Sequence, residues 1–172
     1  MEAYARLRMK IEFGCGETPT QSDFKTCDIR DLPGIDFVCA AWDIDQHVKA
    51  NSVDEIFSRH FFEHLTFQQG EIVLEKWHKI LKPGGRCEML VPNMTMHIKQ
   101  WLRRETDREI EHACAGFWGW QRGEFADTWD VHKSGYDEEL LTKLVLRKGF
   151  ENVESFANPK KSKHVHLAFY KS

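Results

Sequence analysis

Apolar residues along the first ninety positions fall in short runs separated by turn residues. Met9-Lys10-Ile11-Glu12-Phe13, Phe24-Lys25-Thr26-Cys27-Asp28, Phe37-Val38-Cys39-Ala40-Ala41, Val53-Asp54-Glu55-Ile56-Phe57-Ser58 and Arg86-Cys87-Glu88-Met89-Leu90-Val91 are each of strand length and bounded by Gly, Pro, Asp or Asn. Two segments carry helical periodicity instead. Over residues 66–81, Val73, Trp77, Ile80 and Leu81 form an apolar stripe. Thr66 and Gln69 are spaced as a capping box, Lys79 and Lys82 suit the C-terminal end, and Pro83-Gly84-Gly85 stops the helix. Over residues 137–148 the stripe is Leu140, Leu141, Leu144 and Val145, closed by Arg147, Lys148 and Gly149. Residues 153–156 and 164–170 read as two last strands joined by the polar loop Asn158-Pro159-Lys160-Lys161-Ser162-Lys163.

This alternation predicts an α/β fold with a mostly parallel sheet covered on both faces. Residues 94–133 stand apart. They are charged at Arg103-Arg104-Glu105-Thr106-Asp107-Arg108-Glu109, read as a solvated helix face, then aromatic at Phe117, Trp118, Trp120, Phe125 and Trp129. A partly helical insertion is expected there, a lid or acceptor-binding segment within one domain spanning residues 1–172.

Composition narrows the function classes. A hydrophobic fraction of 41% and a charged fraction of 30% are ordinary for a globular chain. The net charge of −3 argues against a broad nucleic-acid footprint. No apolar run approaches the roughly 18 residues of a membrane helix. Met1-Glu2-Ala3-Tyr4-Ala5-Arg6 shows no apolar core behind a basic start, so a cytoplasmic location is expected. The five cysteines are odd in number and form no C-x-x-C pair, which predicts core thiols rather than a zinc site or a disulfide framework.

The sharpest chemical signal is Glu12-Phe13-Gly14-Cys15-Gly16, a strand running into a Gly-x-Gly turn that allows close approach of a ligand to the main chain. Asp28 and Asp43 close the next two strands. In an open α/β sheet all of these residues reach the C-terminal rim, where ligands bind. Pro19 stands where a dinucleotide fingerprint needs its third glycine, and there is no Gly-x-x-x-x-Gly-Lys-Ser/Thr loop. The rim therefore suits a nucleoside without a phosphate chain better than a nicotinamide dinucleotide.

On these residues the sequence resembles the class I S-adenosylmethionine-dependent methyltransferases over residues 10–93, with a fainter echo over residues 135–170. The matching pieces are Glu12-Phe13-Gly14-Cys15-Gly16, Asp28, Trp42-Asp43-Ile44, the strand ending Ser58-Arg59-His60 followed by Phe62-Glu63-His64-Leu65, and Leu81-Lys82-Pro83-Gly84-Gly85-Arg86. The resemblance implies a Rossmann-like sheet of order 3-2-1-4-5-7-6 with the last strand antiparallel. It implies S-adenosyl-L-methionine as cofactor, with Gly14, Cys15 and Gly16 beside its methionine part and Asp28 on the ribose. Asp43 would meet the adenine amino group and Ile44 the ring, with Glu12, Ile29, Arg59 and His60 completing the contacts. The subgroup most resembled is that of small methyltransferases of glycan biosynthesis, implying a sugar or glycan hydroxyl as acceptor; another small molecule is the alternative. Only twelve positions separate Gly16 from Asp28, and the gap to Phe37 is shorter still. Both crossovers are too tight for full helices, which leaves part of a sheet face open and makes a homodimer an expectation. The same departures motivate a competing reading as a non-catalytic cofactor-binding scaffold.

Methyl transfer to a hydroxyl profits from a base, and histidine suits that role near neutral pH. The candidates are His60, His64 and His132; His164 and His166 alternate in the last strand and read as structural. His60 and His64 are spaced for a metal pair on a helix, but no third ligand is evident, so no metal is expected.

Overall fold

The computed structural model describes residues 8–121, 129–157 and 162–172. Seven strands form one sheet: β1 (Lys10–Phe13), β2 (Lys25–Asp28), β3 (Phe37–Val38), β4 (Val53–Arg59), β5 (Leu81–Pro92), β6 (Phe150–Ser155) and β7 (His164–Lys171). Their order is β3-β2-β1-β4-β5-β7-β6. The pairs from β3 across to β5 are parallel, and β7 runs antiparallel to both its neighbours. The helices are α1 (Phe67–Ile80), α2 (Met94–Arg103), α3 (Asp107–Trp118) and α4 (Glu138–Arg147), with a 3-10 helix at Ala41–Gln46.

Side chains alternate across each strand, and the two faces differ. Ile11 and Phe13 of β1 face α1, where the Phe13 ring lies 4.9 Å from that of Trp77. Helix α4 adds Leu141, Leu144 and Val145 to the same core, and its end is tied to α1 by Arg147–Glu71 and Lys148–Glu75 ion pairs. Thr66 caps α1 in the expected box with Gln69. The opposite face carries in-register Thr26, Glu12, Phe57 and Glu88. Beside them runs an ion-pair ladder from Lys10 through Glu55 and Arg86 to Glu88 and His166. Glu12, Thr26 and Phe57 are nonetheless buried, so this face is covered at β1 and β2 by loops rather than by helices. Neither β1–β2 nor β2–β3 is joined by a helix, and the buried carboxylate of Glu12 gathers the first crossover onto the sheet. It accepts hydrogen bonds from the backbone of Thr20 and Gln21 and from the Thr20 hydroxyl.

Three expectations are corrected. β3 is two residues long, because Ala41 already begins the 3-10 helix. Lys82-Pro83-Gly84-Gly85 lies within β5 rather than before it, at a register shift opposite Val53 and Glu55. The charged run 103–109 is the break between α2 and α3: Arg104 ends α2 with φ 51°, and Thr106 caps α3 through the amide of Glu109. The segment from α2 onward leaves β5 at Asn93 and returns beside it at Tyr136, where Met94 N–H donates to the Tyr136 carbonyl. Among the described residues no helix is long and apolar enough to cross a membrane. All five cysteines are free thiols.

Candidate functional site

A cavity of about 380 Å³ opens at the C-terminal ends of β1 to β4. Its lower wall comes from the turns after the first three strands, with Gly14, Asp28, Ile29 and Trp42 on the surface; its upper wall comes from His60, Phe61, His64, Trp129 and Lys133. The site lies where parallel strands all point their C-termini, the usual place for ligands in open α/β sheets.

Asp28 ends β2 with its side chain 6% exposed. One oxygen accepts from the Arg30 amide at 3.0 Å and the Arg30 Nε at 3.1 Å; the other accepts from the Gly16 amide at 2.9 Å and, more weakly, from Arg30 Nη2 at 3.4 Å. Burial alone would push this carboxyl up, but the bonds from Arg30 and Gly16 outweigh it and hold it below the ordinary carboxylate range. Gly14 has φ +64°, and a Cβ there would sit 2.3 Å from the Phe61 ring. The close approach permitted by the glycine turn is thus used by the chain's own phenylalanine.

The remaining expected cofactor residues separate. Ile29 is on the cavity wall and half exposed. Cys15 is buried with its thiol turned to the Cys27 carbonyl, and desolvation pushes its pKa to about 11. Gly16 and Glu12 lie behind the wall, Gly16 anchoring Asp28 and Glu12 anchoring the first crossover. Ile44 is fully buried in the core and has no surface to offer an adenine ring; Trp42, two residues earlier, lines the cavity instead. Asp43 is half-buried, accepts from Gln46, and is not on the wall. Arg59 is exposed at the end of β4 and also lies off the wall. Trp42 was legible only as a neighbour of the motif position, because the 3-10 helix Ala41–Gln46 decides which residue of Trp42-Asp43-Ile44 turns inward.

The histidines gather at the upper wall. His60 sits in left-handed backbone, φ 50°, with Nδ1 3.1 Å from Glu63 Oε1. His64 lines the cavity with Nδ1 3.1 Å from the Val131 carbonyl. His132 stands behind it, rings 5.0 Å apart, nearly buried, with Nδ1 2.9 Å from the Gly116 carbonyl. Desolvation lowers the His132 pKa below its ordinary value. His164, expected to be structural, packs its ring 4.8 Å from that of His60. Candidate ligand atoms of Glu63, His64 and His132 all lie within 4.8 Å of one another, a group that leaves out the His60 of the spaced His60–His64 pair. Sequence spacing tied His64 to His60; the return of the chain after α3 ties it to His132. Of the aromatic group, Trp129 reaches the cavity, Phe117 and Trp118 stack with Trp101, and Phe125 lies outside the described residues.

Three solved structures of similar fold are methyltransferases by their descriptions. An S-adenosylmethionine-dependent methyltransferase from Archaeoglobus fulgidus matches with a TM-score of 0.62 at 13% identity, over 96% of this chain and 87% of that one. The 1,6-didemethyltoxoflavin-N1-methyltransferase of Burkholderia thailandensis, solved with its substrate and S-adenosylhomocysteine, matches with a TM-score of 0.59 at 14% identity, over 96% and 72%. The CurJ carbon methyltransferase matches at 0.60 and 14% over 97% of this chain, which spans 50% of that longer one. These likenesses show the fold. No curated protein matches the sequence. The model of a methyltransferase domain matches residues 8–155, which hold β1 to β6 and the full cavity rim, and the chain belongs to that family.

Proposed function

We propose that this protein moves the methyl group of S-adenosylmethionine to a hydroxyl of a small-molecule acceptor. The observation that carries the reading is the cavity at the rim of a methyltransferase-family sheet, with the buried, ionised Asp28 on its floor. In this reading the ribose hydroxyls donate to Asp28 once the Arg30 side chain turns aside. The adenine lies between Ile29 and Trp42, and the sulfonium points to the histidine wall.

A sulfonium methyl is already activated, so the main task is to hold the acceptor oxygen in line with the S–CH3 bond, which supplies roughly 7–11 kcal/mol. His60 is the best-placed base. Glu63 accepts from its Nδ1–H, which leaves Nε2 to take the acceptor's proton, and the carboxylate stabilises the imidazolium that forms. Residues 94–133 serve as the acceptor-binding segment, supported by Trp129 and Asp130 on the wall. An aromatic platform beside hydrogen-bonding side chains suits a sugar or glycan hydroxyl. The free thiols fit a reducing, cytoplasmic setting. A homodimer draws no support from the helix-free sheet face, which carries ion pairs in place of an apolar carpet.

The test is transfer of labelled methyl from S-adenosylmethionine to a panel of sugars and small alcohols. Label on a hydroxyl, with His60→Ala lowering kcat far more than S-adenosylhomocysteine affinity, supports the reading. A second reading, a cofactor-binding scaffold without catalysis, is favoured by Phe61 packed on Gly14 and by the Arg30 fork already on Asp28. Tight S-adenosylhomocysteine binding with no transfer to any acceptor would select it.

A further inference from the structure

Glu63 is 1% exposed, yet only half of its carboxylate is engaged. Oε1 meets His60 Nδ1, whereas Oε2 has no hydrogen-bond partner among the described residues. A buried carboxylate oxygen without a donor is costly and calls for an explanation.

The neighbouring rings supply one. A backbone carbonyl only accepts, so the contacts to Val131 and Gly116 place a hydrogen on Nδ1 of His64 and of His132. Each Nε2 is then a lone pair. His132 Nε2 faces Glu63 Oε1 at 4.0 Å. The Nε2 lone pair of His132 thus faces a buried carboxylate whose second oxygen, Oε2, lacks a donor, and a cation held between ring and carboxylate satisfies both. Histidine held by Nδ1–H to a carbonyl, with Nε2 free, is also the arrangement that metal-ligating histidines adopt.

We propose that Glu63, His64 and His132 bind a divalent transition-metal ion. Two imidazoles and one carboxylate are the donor set of open catalytic zinc sites, and they suit zinc, iron, cobalt or nickel better than calcium or magnesium, which prefer oxygen shells. Tetrahedral donors at zinc distances stand about 3.4 Å apart. The 4.8 Å limit of this cluster therefore requires closure by up to about 1.4 Å, within reach of side-chain rotations. The loops that carry the two rings are already joined: the amides of Lys133 and Ser134 both donate to the Glu63 carbonyl. His64 lines the cavity, so a bound ion with an open position on that side would be within reach of an acceptor oxygen. That role rests on the methyl-transfer reading; ion binding does not.

The test uses the full chain stripped with chelator and dialysed, titrated with Zn2+ by calorimetry and with Co2+ by visible absorption. One equivalent of Zn2+ is expected to bind. Co2+ should give intense ligand-field bands that one equivalent of Zn2+ abolishes. His132→Ala, His64→Ala and Glu63→Gln should each weaken Zn2+ at least tenfold while retaining the circular dichroism of the folded chain. Should a variant fail to fold, the wild-type Co2+ spectrum decides by itself. Absence of saturable uptake, or uptake that survives all three substitutions, overturns the site. Ion uptake without S-adenosylhomocysteine binding would sink the cofactor reading and keep the metal site; cofactor binding by stripped protein that takes up no ion would do the reverse.

Discussion

Replacing Asp28 by Asn removes one charge from the cavity floor and changes almost nothing in volume. In the structure all of the roughly four acceptor positions of the carboxylate are taken, two by the backbone amides of Gly16 and Arg30 and two by the Arg30 guanidinium. A ribose diol must therefore displace the guanidinium. Two hydroxyl bonds to a charged acceptor are worth about 1.5–3 kcal/mol each. The displaced ion pair returns about 1 kcal/mol or less, since the Arg30 side chain is a third exposed. Asn keeps one acceptor oxygen and so part of the gain. The expected loss is about 2–3 kcal/mol, or roughly 30- to 150-fold in S-adenosylhomocysteine affinity. Calorimetry on wild type and variant measures it, with circular dichroism as the check on folding. The variant should also show a smaller preference for adenosine over 2′,3′-dideoxyadenosine, because one of the two discriminating acceptor oxygens and the charge are gone. Affinity within threefold of wild type in a folded variant would refute the assignment of Asp28 to the ribose.

Gly14→Ala forces a left-handed side chain into the Phe61 ring; strain and overpacking together should cost about 2–4 kcal/mol in urea unfolding. Glu12→Gln faces amide donors with an amide nitrogen at a 2% exposed site. It should destabilise by about 2–3 kcal/mol by the same assay. Acid should weaken the fold before carboxylates titrate. His97 is buried, and burial first, then the charges of His112, His164 and His132, lower its pKa to about 4. A base whose folded pKa lies below its unfolded value stabilises fully above the unfolded value and loses that stability as pH falls toward the folded one. Between pH 7.5 and 5 this one group should remove about 2 kcal/mol of unfolding free energy. A flat urea midpoint over that range would contradict it.

The α/β class was legible in the β-length runs and turn residues, whereas the strand order was legible only through the resemblance to the class I methyltransferases carried by Glu12-Phe13-Gly14-Cys15-Gly16, Asp28 and Leu81-Lys82-Pro83-Gly84-Gly85-Arg86. The capping box at Thr66 and the Gly149 stop set α1 and α4 closely. What the sequence hid was tertiary. Nothing local to Gly14 announces that Phe61, from beyond β4, will fill the space above it. Ile44 resembles an adenine contact by position, yet the 3-10 helix turns it into the core and Trp42 outward. His132 meets Glu63 and His64 only because the chain returns past β4 after α3. The α2–α3 break was readable in Thr106 and Glu109, a cap inside what otherwise passes for one charged helix face.

The account stands or falls on where the nucleoside sits, and a crystal structure with S-adenosylhomocysteine measures that directly. It should show the ribose hydroxyls on Asp28 with the Arg30 guanidinium turned away, the adenine between Ile29 and Trp42, and the sulfur directed at His60. A nucleoside bound elsewhere, or an Asp28–Arg30 pair intact beside a fully occupied ligand, would contradict it.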